Sequence, residues 1–151
     1  MKHLNKLALM MSCFSLVGCT GNGIEYLKQG ETHKEGVLTQ TVVSLVFVAE
    51  NKSENQVGYN LKYTLHSNND KIIGLDGSYK AVFDGKTSNG GINFFFDLSG
   101  DAKYPKSIAP NKDETVLFQI FAYRDWETVV ISYESDDYNY SFGLKRADYN
   151  L

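Results

Sequence analysis

The feature that most constrains this chain is a period of two. In "GYNLKYTLH" (residues 58–66), Tyr59, Leu61, Tyr63 and Leu65 alternate with Asn60, Lys62, Thr64 and His66. In "GINFFFDL", Ile92, Phe94, Phe96 and Leu98 share one face, and in "YNYSFGLK" Tyr138, Tyr140, Phe142 and Leu144 do so. Successive side chains of a strand point to opposite faces, so this alternation describes half-buried strands. "TVVSLVFVA" (41–49) and "TVLFQIFAY" (115–123) are apolar on both faces, as central or doubly covered strands are. "ETVVISYE" (127–134) and "KIIGLDGSYKAVF" (71–83) add further strands, the latter with a hairpin-like Asp76-Gly77 turn. Turn-forming stretches such as "ENKSENQ", "SNND", "DGKTSNGG", "APNKDE" and "SDD" separate these runs. Pro105 and Pro110 fall in one connection, where a missing N–H costs nothing. Seven or eight short strands from residue 41 onward, with no sustained helical period, predict an antiparallel β-sandwich.

The N-terminus is of another kind. Lys2 and Lys6 precede the apolar run "LALMMSCFSLV", and no acid occurs before Glu25. A basic start and a short apolar run describe a secretory signal; a membrane span needs roughly 20 apolar residues. The run ends Leu16-Val17-Gly18-Cys19, which resembles the lipobox of bacterial lipoproteins. The resemblance implies cleavage after Gly18, a diacylglyceryl group on the Cys19 sulfur and an acylated amino group. Thr20, where an Asp would favour the inner membrane, points to the outer membrane of a Gram-negative host. Residues 1–18 are then the signal and 19–40, polar with four glycines, a tether of the order of 25 Å by chain statistics. Residues 41–151 form the domain.

Cys13 leaves with the signal, so no disulfide, redox pair or thiolate metal cluster is available. Loss of Lys2 and Lys6 moves the formal charge from −3 to −5, and the remaining lysines are dispersed, which argues against nucleic-acid partners. "VFVAENKSENQVGYNLKYTL" followed by "IAPNKDETVLFQIFA" is similar to the immunoglobulin-like domains of bacterial envelope lipoproteins. That resemblance implies the sandwich fold and a binding or assembly role. Asn111 stands where those domains usually have Gly, so the turn calls for a left-handed or type I Asn.

No G-x-S-x-G elbow accompanies His33 and His66, and both histidines read as surface residues. Two acidic loops offer oxygen ligands for calcium: Asp97 and Asp101 in "DLSGD", and Asp136 and Asp137 beside Glu134 in "ESDDY". Neither has EF-hand spacing, and self-capped turns explain both. "YRDWE" holds the only tryptophan; Tyr123, Arg124 and Trp126 are residue types that anchor interfaces. The alternative for Trp126 is a fold back over the core. The loop 85–91, with Lys86 and Asn89, is a second contact candidate. A polar, C-terminal last strand could offer an edge for strand pairing. These features predict a non-enzymatic, lipid-anchored module binding an envelope or secreted protein; the alternative is a glycan, small-ligand or calcium module that stacks its ligand on Trp126.

Overall fold

A computed structural model describes residues 23–93, 103–123 and 125–151. Among these residues ten strands form: β1 (Thr32–Glu35), β2 (Leu38–Asn51), β3 (Gln56–Ser67), β4 (Ile73–Gly74), β5 (Ser78–Phe83), β6 (Gly90–Asn93), β7 (Ser107–Ile108), β8 (Asp113–Tyr123), β9 (Thr128–Glu134) and β10 (Asn139–Lys145). One sheet has the order β1-β2-β3-β8-β6, the second β10-β9-β5, and β4 pairs with β7. All these pairings are antiparallel. Setting β1 and the β4–β7 pair aside, the seven remaining strands follow the constant-type immunoglobulin order, four strands A-B-E-D facing three strands G-F-C. The chain is an antiparallel β-sandwich, as the alternation predicts.

The alternation works because the two sheets bury one face each. Tyr59, Leu61, Tyr63 and Leu65 of β3, Val116, Phe118, Ile120 and Ala122 of β8, and Val129, Ile131 and Tyr133 of β9 point inward. Burying such a side chain is worth roughly 1.5–3 kcal/mol each. Where antibody domains join their sheets by a disulfide, here the buried Tyr63 and Tyr140 hydroxyls of opposite sheets lie 2.8 Å apart, and Tyr63 packs edge-on against Phe118 and Phe142. Burial raises both phenols well above their ordinary range. Asn111 has φ 53°, the left-handed one of the two conformations expected of it.

Three expectations change. The tether is far shorter than residues 19–40, because the chain is already bonded into the sandwich from Glu25 on. Residues 24–27, the start of a strap that runs on to Glu31, are extended, with Tyr26 bridging in parallel to Gly143. The Glu25 carbonyl accepts from Gly143 N–H at 2.7 Å, Leu27 N–H donates to Gly143 O at 2.9 Å, and Leu27 is 1 % exposed. Second, these bonds close the outer edge of β10, and the Glu35 carboxylate accepts the Ser141 N–H at 2.9 Å, so the last strand offers no open edge there. The strap thus ties the β10 edge of one sheet to the β2 edge of the other, where β1 lies.

Third, residues 71–83 form no hairpin: β4 pairs with β7 and β5 with β9. Gly77 instead runs against β9, donating its N–H to the Tyr133 hydroxyl at 2.9 Å, and a Cβ there would collide with the Glu134 carbonyl.

Candidate binding surface

The loops singled out in the sequence meet at one end of the sandwich. Gly90 pairs with Ala122, and the Asp84 carboxylate accepts from the N–H groups of Glu127 and Thr128 at 3.0 and 2.8 Å. Lys86 is exposed, Asn89 is half-buried in a short 3-10 turn (Thr87–Asn89), and Tyr123 is exposed at the end of β8. Cys19, Arg124, Asp97 and Asp101 lie outside the described residues.

Trp126 is not part of that surface. It is 2 % exposed, donates its indole N–H to the Tyr59 hydroxyl at 3.1 Å, and packs edge-on between Tyr59 and Phe83 with ring centroids 5.5 and 5.3 Å away. Asp84 pulls the following backbone into the sheet and Trp126 closes the core beneath it. It can neither anchor a partner directly nor serve as a platform for a sugar ring. A cleft of about 670 Å³ beside it is lined by charges of both signs, among them Glu127, Lys145 and Arg146, together with Leu151. A second cleft of about 350 Å³, lined by Leu75, Tyr79, Tyr104 and Pro105, is largely apolar.

Asp136 and Asp137 are exposed in the β9–β10 turn. That turn is held by Ser135, whose N–H and hydroxyl both donate to the Tyr138 carbonyl and whose oxygen accepts from Tyr138 N–H. Among the described residues no three Asp, Glu, His or Cys converge as metal ligands would. His33 donates to or accepts from Glu25 at 2.6 Å, and His66 is hydrogen-bonded to Asp113 at 2.7 Å.

The surface that the sequence did not reveal is on β2. β1 accompanies β2 from Leu38 to Thr41, and Glu31 and Gly30 exchange backbone hydrogen bonds with Val42. Beyond that point, over residues 43–49, no strand among the described residues flanks the outer side of β2. Val46 is 53 % and Phe47 51 % exposed there. By register Phe47 faces inward opposite Tyr59, and it packs edge-on against that ring at 6.3 Å. Phe47, Tyr59, Trp126 and Phe83 therefore form one aromatic chain running from the surface into the core. Irregularities between Val42 and Ser44 and between Phe47 and Ala49 bracket the regular stretch Ser44–Phe47. Bulges of this kind limit how far a foreign strand can pair along an edge.

No protein-family model and no curated protein matches the chain. Among solved structures it is similar to the ycdA protein of Bacillus subtilis, described as a "putative lipoprotein", with TM-score 0.64 and 8 % identity over 83 % of this chain and 41 % of that one. This chain thus spans less than half the length of that protein. It is also similar to the yjhA protein of Bacillus subtilis, at TM-score 0.59 and 14 % identity over 78 % and 99 % of the two chains. An uncharacterized β-sandwich protein of Clostridium difficile aligns at TM-score 0.50 and 14 % identity over 82 % and 94 %. At such identities the likeness is one of fold.

Proposed function

We propose that this chain is a lipid-anchored envelope protein, held by a diacylglyceryl group on Cys19 at the outer membrane, and that its sandwich is a non-catalytic module that binds a protein by strand addition at β2. The observation behind this reading is the stretch of β2 that no strand among the described residues flanks on its outer side, where Val46 and Phe47 stand half-exposed. An extended peptide gains main-chain hydrogen bonds along such an edge and side-chain pockets on either face. Phe47 suits an anchor role because Tyr59 and Trp126 hold its supporting ring in place before any partner arrives. The basic and apolar start of the chain and the Leu16-Val17-Gly18-Cys19 motif support the anchor. Tyr123, Lys86 and Asn89 flank this end as secondary contacts.

The test is photo-crosslinking in native membranes from probes placed at Val46 and, as a control on the outer face of the same sheet, at Lys62. The proposal expects a discrete protein adduct from Val46 that Phe47→Ala weakens and none from Lys62. An adduct only from probes at Lys86 or Tyr123 would move the binding site to the loop end.

A further inference from the structure

Lipoproteins of this kind are drawn with a flexible leash between lipid and domain, but this fold leaves little room for one. Glu25 is already hydrogen-bonded through its carbonyl to Gly143, and Leu27 is buried. Five residues lie between Cys19 and Glu25, and a fully extended chain covers at most about 3.3–3.6 Å per residue step, so about 20 Å in all. That is about the width of the larger sheet, with five strands at 4.7–4.9 Å spacing. A connection no longer than the sheet is wide holds the side it leaves from nearest the bilayer.

Resting on the Cys19 anchor proposed above, we infer that the sandwich is seated on the lipid surface by one lateral side. That side is the one where the strap joins the edges of β10 and β1, with the β5 and β6 edges directed away. The occupant of this side is the headgroup layer. The strap enters along β10, turns at Lys28–Glu31, where the Lys28 N–H donates to the Glu31 carboxylate and the Lys28 carbonyl accepts from the Glu31 N–H, and continues into β1. Tyr26, 36 % exposed, lies on this side with the Lys145 ammonium 5.1 Å from its ring centroid. A tyrosine with a lysine over its ring is an amphipathic pair of the kind that sits at a headgroup boundary.

Charge does not drive the seating. Lys28, Lys34, Lys145 and Arg146 on this side are offset by Glu25, Glu31, Glu35 and Asp148, with Lys28 and Asp148 4.0 Å apart. The connection length sets the orientation, so it is the same on zwitterionic and anionic bilayers. One consequence reaches the binding surface. The open part of β2 begins at residue 43, immediately past the Gly30–Glu31 contact with Val42, on the seated side. A partner strand therefore meets this edge at the membrane surface, which selects a chain that is itself membrane-adjacent.

The mature chain has no cysteine except Cys19, whose sulfur the lipid occupies, so one introduced cysteine gives one labelling site. Lipidated Lys28→Cys, Lys34→Cys, Lys80→Cys and Lys103→Cys variants, each carrying a fluorophore, are reconstituted into phosphatidylcholine vesicles whose headgroups bear a nitroxide quencher of short range. All four lysines are exposed; the first two lie on the seated side, Lys80 on the β5 edge, and Lys103 opposite Leu117 beyond β6. Strong quenching at 28 and 34, several-fold weaker quenching at 80 and 103, and loss of the contrast on inserting a 20-residue Gly-Ser spacer after Gly21 are expected. Adding phosphatidylglycerol leaves the pattern unchanged. Equal quenching at all four positions, with mass spectrometry confirming the lipid on Cys19, overturns the seating and leaves the anchor standing. A native protein without lipid on Cys19 overturns both.

Discussion

Trp126 gives the sharpest check on the placement of the core. At 2 % exposure, with two edge-on aromatic neighbours and an indole N–H bonded to Tyr59, it is a core side chain. Trp126→Ala removes that volume and leaves a cavity, at a cost of about 3–5 kcal/mol. For a domain of this size that lowers Tm by about 10–20 °C. Trp126→Phe keeps a ring but strands the Tyr59 hydroxyl, and should cost about 1–3 kcal/mol. Tyr59→Phe strands the indole N–H instead. A double-mutant cycle between the two should show a coupling of about 0.5–1.5 kcal/mol, because each single change removes the same hydrogen bond. The assay is urea denaturation followed by far-ultraviolet circular dichroism, alongside Tm. A Trp126→Ala variant within about 0.5 kcal/mol of wild type, the range of an ordinary surface change, would refute the burial argument and return Trp126 to the surface.

Gln40 faces inward on β2, fully buried, and neither end of its amide has a hydrogen-bond partner among the described residues; Gln40→Met should raise stability by about 1–2 kcal/mol in urea melts, and a loss of stability would contradict that. Burial, reinforced by neighbouring phenols, pushes Tyr79 up to about 12 and holds Tyr63 and Tyr140 well above the ordinary value of 10. The folded chain keeps these protons longer than the unfolded chain, so stability is intact below pH 10 and falls as pH rises from 10 towards 12 and beyond. Phenolate absorbance should therefore rise together with unfolding, and full titration of the tyrosines near pH 10 in an intact fold would contradict it. Gly77→Ala should cost about 1–3 kcal/mol, since its Cβ meets the Glu134 backbone rather than a side chain that can swing away; an unchanged Tm would show that this close approach is relieved.

The sandwich was legible because side-chain alternation is a direct record of burial on two facing sheets, and Asn111 marked its own left-handed turn. The strap was not. Its hold on β10 consists of backbone hydrogen bonds and a Glu35 carboxylate, and main-chain bonds leave no mark in a polar, glycine-rich stretch; only Leu27 hinted at burial. The apolar run at residues 41–49 pointed to a strand covered on both sides, yet β1 ends after four residues and leaves Val46 and Phe47 exposed. A pattern apolar on both faces reads the same whether the second cover is the chain's own or a partner's. Trp126 was misleading for a similar reason. Its charged neighbours suggest a surface loop, while the clamp that turns it inward comes from Asp84, distant in sequence.

The central claim is that the uncovered stretch of β2 is a docking edge, and amide hydrogen exchange tests it most directly. Residues 43–49 should exchange faster than the paired amides of β3 in the purified, delipidated protein. In native membranes the same stretch should gain protection of at least about tenfold, equivalent to about 1.4 kcal/mol, and Phe47→Ala should abolish the gain. Equal exchange of residues 43–49 in both settings, with protection appearing instead at loop 85–91 or at Tyr123, would contradict the claim.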